Sequence, residues 1–230
     1  MLTAGEPPPD LARRVAFKET ESQEARSNYA YRQVVKVEEI DEKGMKRGEY
    51  QETRDVIFSP DGERTEQVIG KPRKKLDRLV LSEEDFRDMR EVQPFLFTKD
   101  QLWLYETRYK GEETVGGIRC YVLEVKPRQL LQGQRLFEGL FWVDQADFSI
   151  VQSEGRAVPQ IIKADSENLF PRFTTIRKKI GDYWFPEFTL ADDTLPFSSG
   201  PIRMRMEISY SDYKRFGTES EIRFGEPIEP

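Results

Sequence analysis

Histidine is absent from the 230 residues of this chain, and cysteine occurs once. The lack of histidine excludes Ser-His-Asp and Cys-His catalysis, histidine-ligated zinc and switching by an imidazole. A single cysteine excludes an internal disulfide and any CxxC metal or redox pair. The P-loop, GxGxxG and GxSxG motifs are also missing. We therefore expect neither a cofactor nor a metal ion.

Excess positive charge and long apolar runs are missing as well. The net charge of -6 argues against general nucleic-acid binding, which requires a basic surface. The longest apolar runs, such as Phe95-Leu96-Phe97, are far shorter than the ~18 residues of a membrane-spanning helix. We therefore expect no nucleic-acid partner and no membrane span in this chain.

Residues 1–9 lack the apolar core of a signal peptide. Small residues followed by Pro7-Pro8-Pro9 predict an extended, disordered linker. Such a segment often follows a cleaved signal or a lipid anchor, and it also suits the frayed terminus of a cytosolic protein. Beyond the linker the composition shows no break and no internal repeat. Residues 10–230 are therefore expected to form a single domain.

Most of the chain alternates apolar and polar residues with the two-residue period of β-strands. About ten such segments follow one another, separated by short turns such as Pro60-Asp61-Gly62 and Gly116-Gly117. Local turns join neighbouring strands in antiparallel fashion. The expected fold is mainly β (α+β), with a large curved antiparallel sheet that forms an incomplete barrel. The predicted strands are residues 29–40, 50–58, 63–69, 101–109, 118–125, 136–144, 148–156, 170–180, 183–190 and 202–213.

Two or three helices are expected to cover the concave face of this sheet. Residues 10–27 predict the first helix, with Asp10 as its N-cap and a narrow apolar stripe. The second begins at Ser82, where a capping-box-like pattern places acids in the first turn, and it ends at Pro94. Residues 94–97 are read as an apolar plug. The residues of the stripe on the first helix are Leu11, Val15 and Phe17.

Several predicted strands carry apolar side chains on both faces, so both faces need a cover. The last strand, at residues 202–213, is apolar on one face only. An ordinary core completed by helices and loops is one explanation. The other is an apolar cavity between sheet and helices with room for acyl chains. The candidates for one continuous ligand-binding face are Trp103, Tyr105, Tyr121, Leu123, Phe141 and Val143.

Three other features could carry chemistry. Paired acids in turns and in a first helical turn indicate caps and solvation rather than the facing carboxylates of a glycosidase. The basic run at residues 71–75 is predicted to be a loop, either solvated or touching anionic headgroups. Cys120 alternates with apolar neighbours in a central strand, which predicts a buried, inert thiol. The acid pairs are Asp192 with Asp193, Glu83 with Glu84, and Asp144 with Asp147.

The run Phe141-Trp142-Val143-Asp144, followed by a segment that ends at Glu154-Gly155, resembles outer-membrane lipoprotein-sorting (LolA-like) proteins. In those proteins a strand ending in W-[VI]-D turns tightly into a strand that ends near E-G, and residues 117–127 and 208–214 fit as well. The resemblance implies an incomplete antiparallel barrel with helices on its concave side, in a bacterial envelope protein. Better-known members carry acylated lipoproteins across the periplasm, and relatives bind other lipids or act as envelope-stress sensors. No functional residue of the family carries over to this chain.

Three functions remain open. The first is a non-enzymatic periplasmic or envelope protein that holds a hydrophobic ligand, a lipid or a lipoprotein acyl chain, in the cavity of a half-barrel, as a carrier. The second is an envelope interaction or stress-sensor module that binds a protein partner and has no ligand cavity. The third is a hydrolase, ranked last because histidine is absent and the acids lie in caps and turns. We therefore expect the protein not to be an enzyme.

Overall fold

The computed structural model of the chain describes residues 6–58, 63–91, 97–130, 135–163 and 166–215. Its two α-helices are α1 (Leu11–Arg26) and α2 (Glu83–Glu91), and a 3₁₀ turn spans Leu102–Leu104. The strands are β1 (Tyr29–Ile40), β2 (Lys46–Phe58), β3 (Arg64–Lys75), β4 (Tyr105–Val115), β5 (Ile118–Pro127), β6 (Leu136–Asp144), β7 (Ile150–Val158), β8 (Ile161–Lys163), β9 (Ser166–Asn168), β10 (Phe173–Ile180), β11 (Tyr183–Leu195) and β12 (Ile202–Arg215).

Ten of these strands form one antiparallel sheet in the order β3-β2-β1-β12-β11-β10-β7-β6-β5-β4. In the middle of the sheet the first strand, β1, pairs with the last, β12, so that Val35 lies opposite Ile208. The edge strands β3 and β4 do not pair with each other in the described sheet, so the barrel stays open. The predicted mainly-β fold with an incomplete antiparallel barrel is confirmed. Strands β8 and β9, which the sequence did not predict, form a separate two-stranded hairpin.

The two ends of the sheet differ in their connections. We define the upper end of the sheet as the end at which β1, β3, β5, β7 and β11 terminate. The sheet strand that follows each of them in the chain begins at the same end. The β8–β9 hairpin and the connections before α2 and between β11 and β12 lie there. At the lower end, α1 runs into β1 through two residues, and tight glycine turns join β4 to β5 and β10 to β11.

The inner face of the sheet holds the main hydrophobic core. On β12 the even-numbered residues Met204, Met206 and Ile208 are buried while Arg203 and Arg205 are exposed, so the predicted one-sided pattern is confirmed. Helix α1 packs on this face through Leu11, Val15 and Ala16. Burial of such side chains stabilises the fold by about 1.5–3 kcal/mol for each large one.

The outer face carries a second, smaller cluster on the strands that the sequence showed to be apolar on both sides. Its buried members are Cys120, Val122, Trp142 and Val151, and Trp184 packs against them. The indole Nε1 of Trp142 donates a 2.7 Å hydrogen bond to Oε2 of Glu113. The second face of these strands is thus covered by side chains of the sheet itself.

Some local predictions were wrong. Residues 102–104 form a 3₁₀ turn instead of the start of a strand, because the Leu104 amide bonds to Gln101 O and closes the turn locally. A short apolar run cannot distinguish a strand from such a turn. Asp10 precedes α1 but its side chain makes no capping bond, and Phe17 is exposed instead of joining the stripe.

The basic run at residues 71–75 is also not a loop, since it forms the last part of β3. Lys74 and Lys75 pair with Tyr50 and Glu49 of β2. Arg73 Nη1 lies 2.7 Å from Glu49 Oε1, so an acid on the neighbouring strand holds the basic segment in the sheet. The predicted turn at residues 60–62 and residues 94–96 of the predicted plug lie outside the described residues.

The predicted start of the second helix is confirmed. The backbone amide of Asp85 donates to Ser82 Oγ at 3.1 Å, and Asp85 Oδ2 accepts from the Ser82 amide at 2.6 Å. These reciprocal bonds satisfy amides of the first turn, as in a capping box. Within the described residues, neither helix has the length and hydrophobicity needed to cross a bilayer.

Candidate functional site

An apolar cleft lies under the upper end of the inner face. Its floor is formed by the sheet, and its cover by the connection at residues 76–82, by α2 and by the segment after β9. Most of its lining is apolar: aliphatic residues, two methionines of β12 with Met89 of α2, and the aromatic rings of Phe170 and Phe197. Two carboxylates, those of Asp85 and Glu167, also line it. Methionine adapts to irregular apolar surfaces, so this lining suits a flexible hydrophobic ligand. The main lining residues are Val37, Leu79, Val80, Leu81, Met89, Leu169, Phe170, Leu195, Phe197, Met204 and Met206.

One buried carboxylate ties the irregular part of the cover to the sheet. Glu39, near the end of β1, accepts hydrogen bonds from the backbone amides of Asp77, Arg78 and Leu79; its Oε1 lies 2.7 Å from Arg78 N and 2.6 Å from Leu79 N. Glu39 is itself buried. Charge-assisted bonds of this kind are stronger than neutral ones. The irregular segment that carries Leu79 is therefore anchored without helix or strand.

Two further contacts close the upper end around the cleft. The Arg78 guanidinium donates to the carbonyl oxygen of Ser199 at 3.1 Å and to those of Gly200 and Pro201 at 3.3 Å. Glu167 of β9 accepts from the Ser198 amide at 3.0 Å and from its hydroxyl at 2.8 Å. Polar contacts at the surface thus tie three connections together, whereas the surfaces beneath them are apolar.

Helix α2 also carries a buried ion pair. Arg135 Nη2 lies 2.9 Å from Asp88 Oδ2, and both side chains are almost fully enclosed. Burial lowers the pKa of Arg135, and the carboxylates of Asp88 and Asp85 oppose that shift. Burial also raises the pKa of Asp85, although its bonds to Ser82 work in the other direction.

The cleft is nearly closed. Its volume is about 20 Å³, which is room for a single water molecule, whereas ligand pockets usually measure about 300–1,000 Å³. An acyl chain could enter only if the cover at residues 76–82 or α2 moved away from the sheet. The site is therefore shut, its walls are mainly apolar, and residues 76–82 of its cover lack regular structure.

Five of the six residues proposed for a ligand-binding face come together on the inner face. Tyr121 lies opposite Val143, and Leu123 lies opposite Phe141, across β5 and β6. All five belong to or pack against the main core. Trp103 does not join them, because it lies in the 3₁₀ turn before β4 and is 70% exposed.

Other aromatic rings pack against Tyr105 and Phe141, two of these five residues. The ring of Phe97 lies 5.5 Å from that of Tyr105 and 5.7 Å from that of Phe141. The rings of Phe137 and Phe141 stack at 5.2 Å.

The residues of the cleft were not predicted as a set, because Leu79 and Phe170 lie in irregular segments that have no periodicity. The sequence pattern does place Met204 and Met206 on a buried face, since β12 is apolar on one face only.

A larger depression of about 440 Å³ lies on the outer face across β1, β12, β11 and β10. It is lined by charges that are already paired. Arg172 Nε lies 3.1 Å from Glu154 Oε1, and Arg205 Nε lies 2.9 Å from Asp192 Oδ2. A ligand there would compete with these ion pairs in water, so we favour the apolar cleft as the candidate site.

The acid pairs singled out in the sequence hold turns and arginines. Asp192 accepts from Arg203 and Arg205, which lower its pKa. Asp144 and Asp147 accept from backbone amides of the β6–β7 turn, at 2.9 Å each. In the described segments, His, Cys, Asp and Glu side chains do not gather in groups of three or more that could hold a metal ion.

Comparison with known proteins gives similarity at the level of structure only. No protein-family model matches the chain, and no curated protein matches it. A DUF1329 family protein from Desulfovibrio piger is similar over 92% of this chain and 92% of its own, with 16% identity and a TM-score of 0.45. A LolA superfamily protein from Nitrosomonas europaea is similar over 90% of this chain and 94% of its own, with 15% identity and a TM-score of 0.39.

A third structure is described as a candidate outer membrane lipoprotein-sorting protein domain from Vibrio parahaemolyticus. It is similar over 91% of this chain and 95% of its own, with 14% identity and a TM-score of 0.38. The names of the second and third structures contain the family that residues 141–155 resemble.

Proposed function

We propose that this chain is a non-enzymatic protein of the periplasm or cell envelope that binds a hydrophobic ligand inside its half-barrel, as a carrier. The ligand is a lipid or the acyl chain of a lipoprotein, and residues 10–230 act as one domain. The observation that carries the proposal is the apolar cleft between β12 and a cover of irregular chain. Burial of an acyl chain there would supply about 25 cal/mol for each Å² of apolar surface.

The proposal requires the cleft to open. Opening requires release of the contacts between Glu39 and the amides of residues 77–79, which hold the irregular part of the cover. Beneath the cover, Met89, Met204 and Met206 offer side chains that can rearrange around a chain-like ligand. A longer ligand would next reach Tyr105, Tyr121, Leu123, Phe141 and Val143 once Phe97 moves, and their role as ligand contacts is part of the proposal.

The first experiment is native mass spectrometry of the purified protein, followed by organic extraction. A stoichiometric, extractable mass in the lipid range supports the proposal. Uptake of a fluorescent fatty acid by extracted protein is then compared between Leu81→Asp and Leu140→Asp. Both leucines are half-buried, but only Leu81 lines the cleft. We expect uptake to be lost in Leu81→Asp and kept in Leu140→Asp.

A second variant tests the cover. Glu39→Gln weakens the bonds that hold residues 77–79, so we expect it to speed uptake of the fatty acid while the inner lining stays unchanged. Equal loss of uptake in Leu81→Asp and Leu140→Asp, or a clean ligand-free mass with no uptake by any variant, would contradict the proposal.

The small volume of the cleft favours the second candidate function, an envelope interaction or stress-sensor module that binds a protein partner. In that case the interior stays dry and the chain retains one envelope protein in a pull-down. The native mass spectrum distinguishes the two functions, because a lipid-binding protein should copurify with its ligand and a partner-binding module should not.

A further inference from the structure

The most exposed large apolar side chains of the described residues all lie at the upper end of the sheet. Five such side chains are more than half exposed, from 53% for Leu130 to 85% for Val80. They belong to four connections of the sheet, since Val80 and Trp103 both lie between β3 and β4, one before α2 and one after it. Single exposed leucines are ordinary, whereas several exposed apolar side chains at one end of a sheet are a candidate for an interaction site. The five, which we call the apolar rim, are Met45, Val80, Trp103, Leu130 and Ile162.

The described turns of the lower end lack this feature. They are formed largely by glycine and polar residues, as at Gly116-Gly117 and Gly181-Asp182. The large apolar residue there, Phe148, is half-buried and is covered by the Arg14 guanidinium, which lies 4.9 Å from the centre of its ring. The contrast between the ends argues that the apolar rim serves an interaction rather than following from general surface composition.

Basic residues accompany the apolar rim. The last part of β3 leads to the upper end and exposes Lys71, Lys74 and Lys75, while Arg73 is paired with Glu49. Lys43 is exposed in the same turn as Met45. Glu42 and Asp77 are exposed beside these segments, but residues 71–75 themselves contain four basic residues and no acid, in a chain whose net charge is -6. Basic clusters beside exposed apolar and tryptophan side chains suit the interface of an anionic bilayer.

We propose that the upper end of the sheet docks on the surface of an anionic lipid bilayer. Trp103 and the other residues of the apolar rim enter the boundary between headgroups and acyl chains, and the lysines of β3 contact lipid phosphates. The apolar cleft opens at the same end, and Val80 both lines it and belongs to the rim. Docking goes beyond the proposed function, because it needs no ligand inside the protein.

Flotation with vesicles tests the proposal on the full chain. The probes are vesicles of phosphatidylcholine mixed with phosphatidylglycerol, and vesicles of phosphatidylcholine alone. The rim variant is Met45→Ser, Trp103→Ser and Ile162→Ser, none of which lines the cleft. The matched control changes Ile176, Phe188 and Leu190 to serine, which are 36%, 38% and 41% exposed on the outer face of β10 and β11.

We expect the unchanged protein and the control to float with the mixed vesicles, and the rim variant to stay behind. Lys71→Gln, Lys74→Gln and Lys75→Gln are each expected to weaken binding about fivefold, since each basic residue near an anionic surface contributes about 1 kcal/mol. A blue shift of tryptophan emission on binding, absent in Trp103→Phe, would place that ring in the interface.

Three results would overturn the proposal: no flotation of the unchanged protein with mixed vesicles, equal loss of binding in the rim variant and the control, or equal binding to phosphatidylcholine alone. Thermal unfolding checks that the rim variant is folded, and Trp103→Ser alone replaces it if it is not. Fatty-acid uptake without vesicles should be unchanged in the rim variant, so failure of docking is distinguishable from failure of the ligand site.

Discussion

Arg177 on β10 and Glu19 on α1 form an ion pair in the interior of the protein. Arg177 Nη1 lies 2.9 Å from each carboxylate oxygen of Glu19, and both side chains are almost fully buried. Burial raises the pKa of Glu19, and the charge and hydrogen bonds of Arg177 oppose that shift. The pair links the helix that covers the lower half of the inner face to the middle of the sheet.

Removal of one partner of this pair should strongly destabilise the fold. Glu19→Ala leaves the Arg177 charge buried against α1, and breaking such a pair costs about 3–5 kcal/mol. Urea unfolding followed by circular dichroism measures the loss. The double variant Glu19→Leu with Arg177→Met removes both charges and is expected to recover most of it. Equal stability of Glu19→Ala and the unchanged protein would show that the pair does not hold the helix.

Phe141→Asp should unfold the protein. Phe141 is fully buried between the rings of Phe97 and Phe137. The loss of its packing alone costs about 3–5 kcal/mol, and a buried carboxylate adds to that cost. Phe141→Leu keeps an apolar side chain and should cost about 1–2 kcal/mol. If Phe141→Asp instead stays folded and loses fatty-acid uptake, Phe141 is a ligand contact.

The sequence predicted the sheet well because periodic patterns and turn residues report local structure directly. The bounds predicted for β1 and β6 agree with the structure, and the alternation on β12 identified the buried face on which Met204 and Met206 lie. The order of the strands, in which β1 pairs with β12, depends on contacts between residues far apart in the chain. Periodicity could not indicate that order, and the resemblance implied only an incomplete antiparallel barrel.

The cleft could not be predicted in the same way. Its cover is irregular chain, and Leu79 is buried because Glu39, forty residues earlier, binds its amide. The Glu19–Arg177 pair joins residues 158 positions apart. Trp103 was misplaced because an alternating apolar run was read as a strand where local hydrogen bonds form a 3₁₀ turn. Long-range polar contacts of this kind have no signature in a single sequence.

The thiol of Cys120 should be unreactive in the folded protein. Its predicted burial is confirmed, and burial in the outer cluster raises its pKa to about 11. A thiol reagent applied at about pH 8, where an exposed cysteine of pKa about 8.5 reacts readily, should label it only after unfolding in urea. Rapid stoichiometric labelling under native conditions would show that the outer cluster opens.

Gly155 should not tolerate a side chain. It lies opposite Gly139 across β6 and β7, and a Cβ at Gly155 would collide first with the backbone oxygen of Glu138 and then with Phe137 Cζ, at 2.5 Å. Two glycines thus leave the space that the Phe137 ring fills, which explains the glycine of the Glu154-Gly155 motif. Gly155→Ala should cost about 1–3 kcal/mol, as overpacking does.

A double-mutant cycle tests the cause of that cost. Phe137→Leu shortens the ring that a Cβ at Gly155 would meet, so the penalty of Gly155→Ala should be smaller in the Phe137→Leu background. Additive effects of the two changes would mean that contact with the backbone of Glu138, rather than with the ring, excludes a side chain.

Acid should weaken the edge of the sheet that carries the basic segment of β3. Glu49 accepts from Lys46 Nζ at 2.5 Å and from Arg73 Nη1 at 2.7 Å. The bonds to Lys46 and then Arg73 lower the pKa of Glu49 from 4.5 to about 2. Because the folded-state pKa is below the unfolded one, this contribution to stability is present above pH 4.5 and is lost as the pH falls towards 2.

Urea unfolding at a series of pH values between neutral and acid measures this loss. In Glu49→Gln we expect lower stability at neutral pH and a shallower decline in acid, because the titrating group has been removed. Arg73→Gln should lower stability at neutral pH for the same reason, and it should add little in the Glu49→Gln background, since both changes break the same contact. A decline in acid that is as steep in Glu49→Gln as in the unchanged protein would place the acid sensitivity elsewhere, with Asp192 and its two arginines as the next group to test.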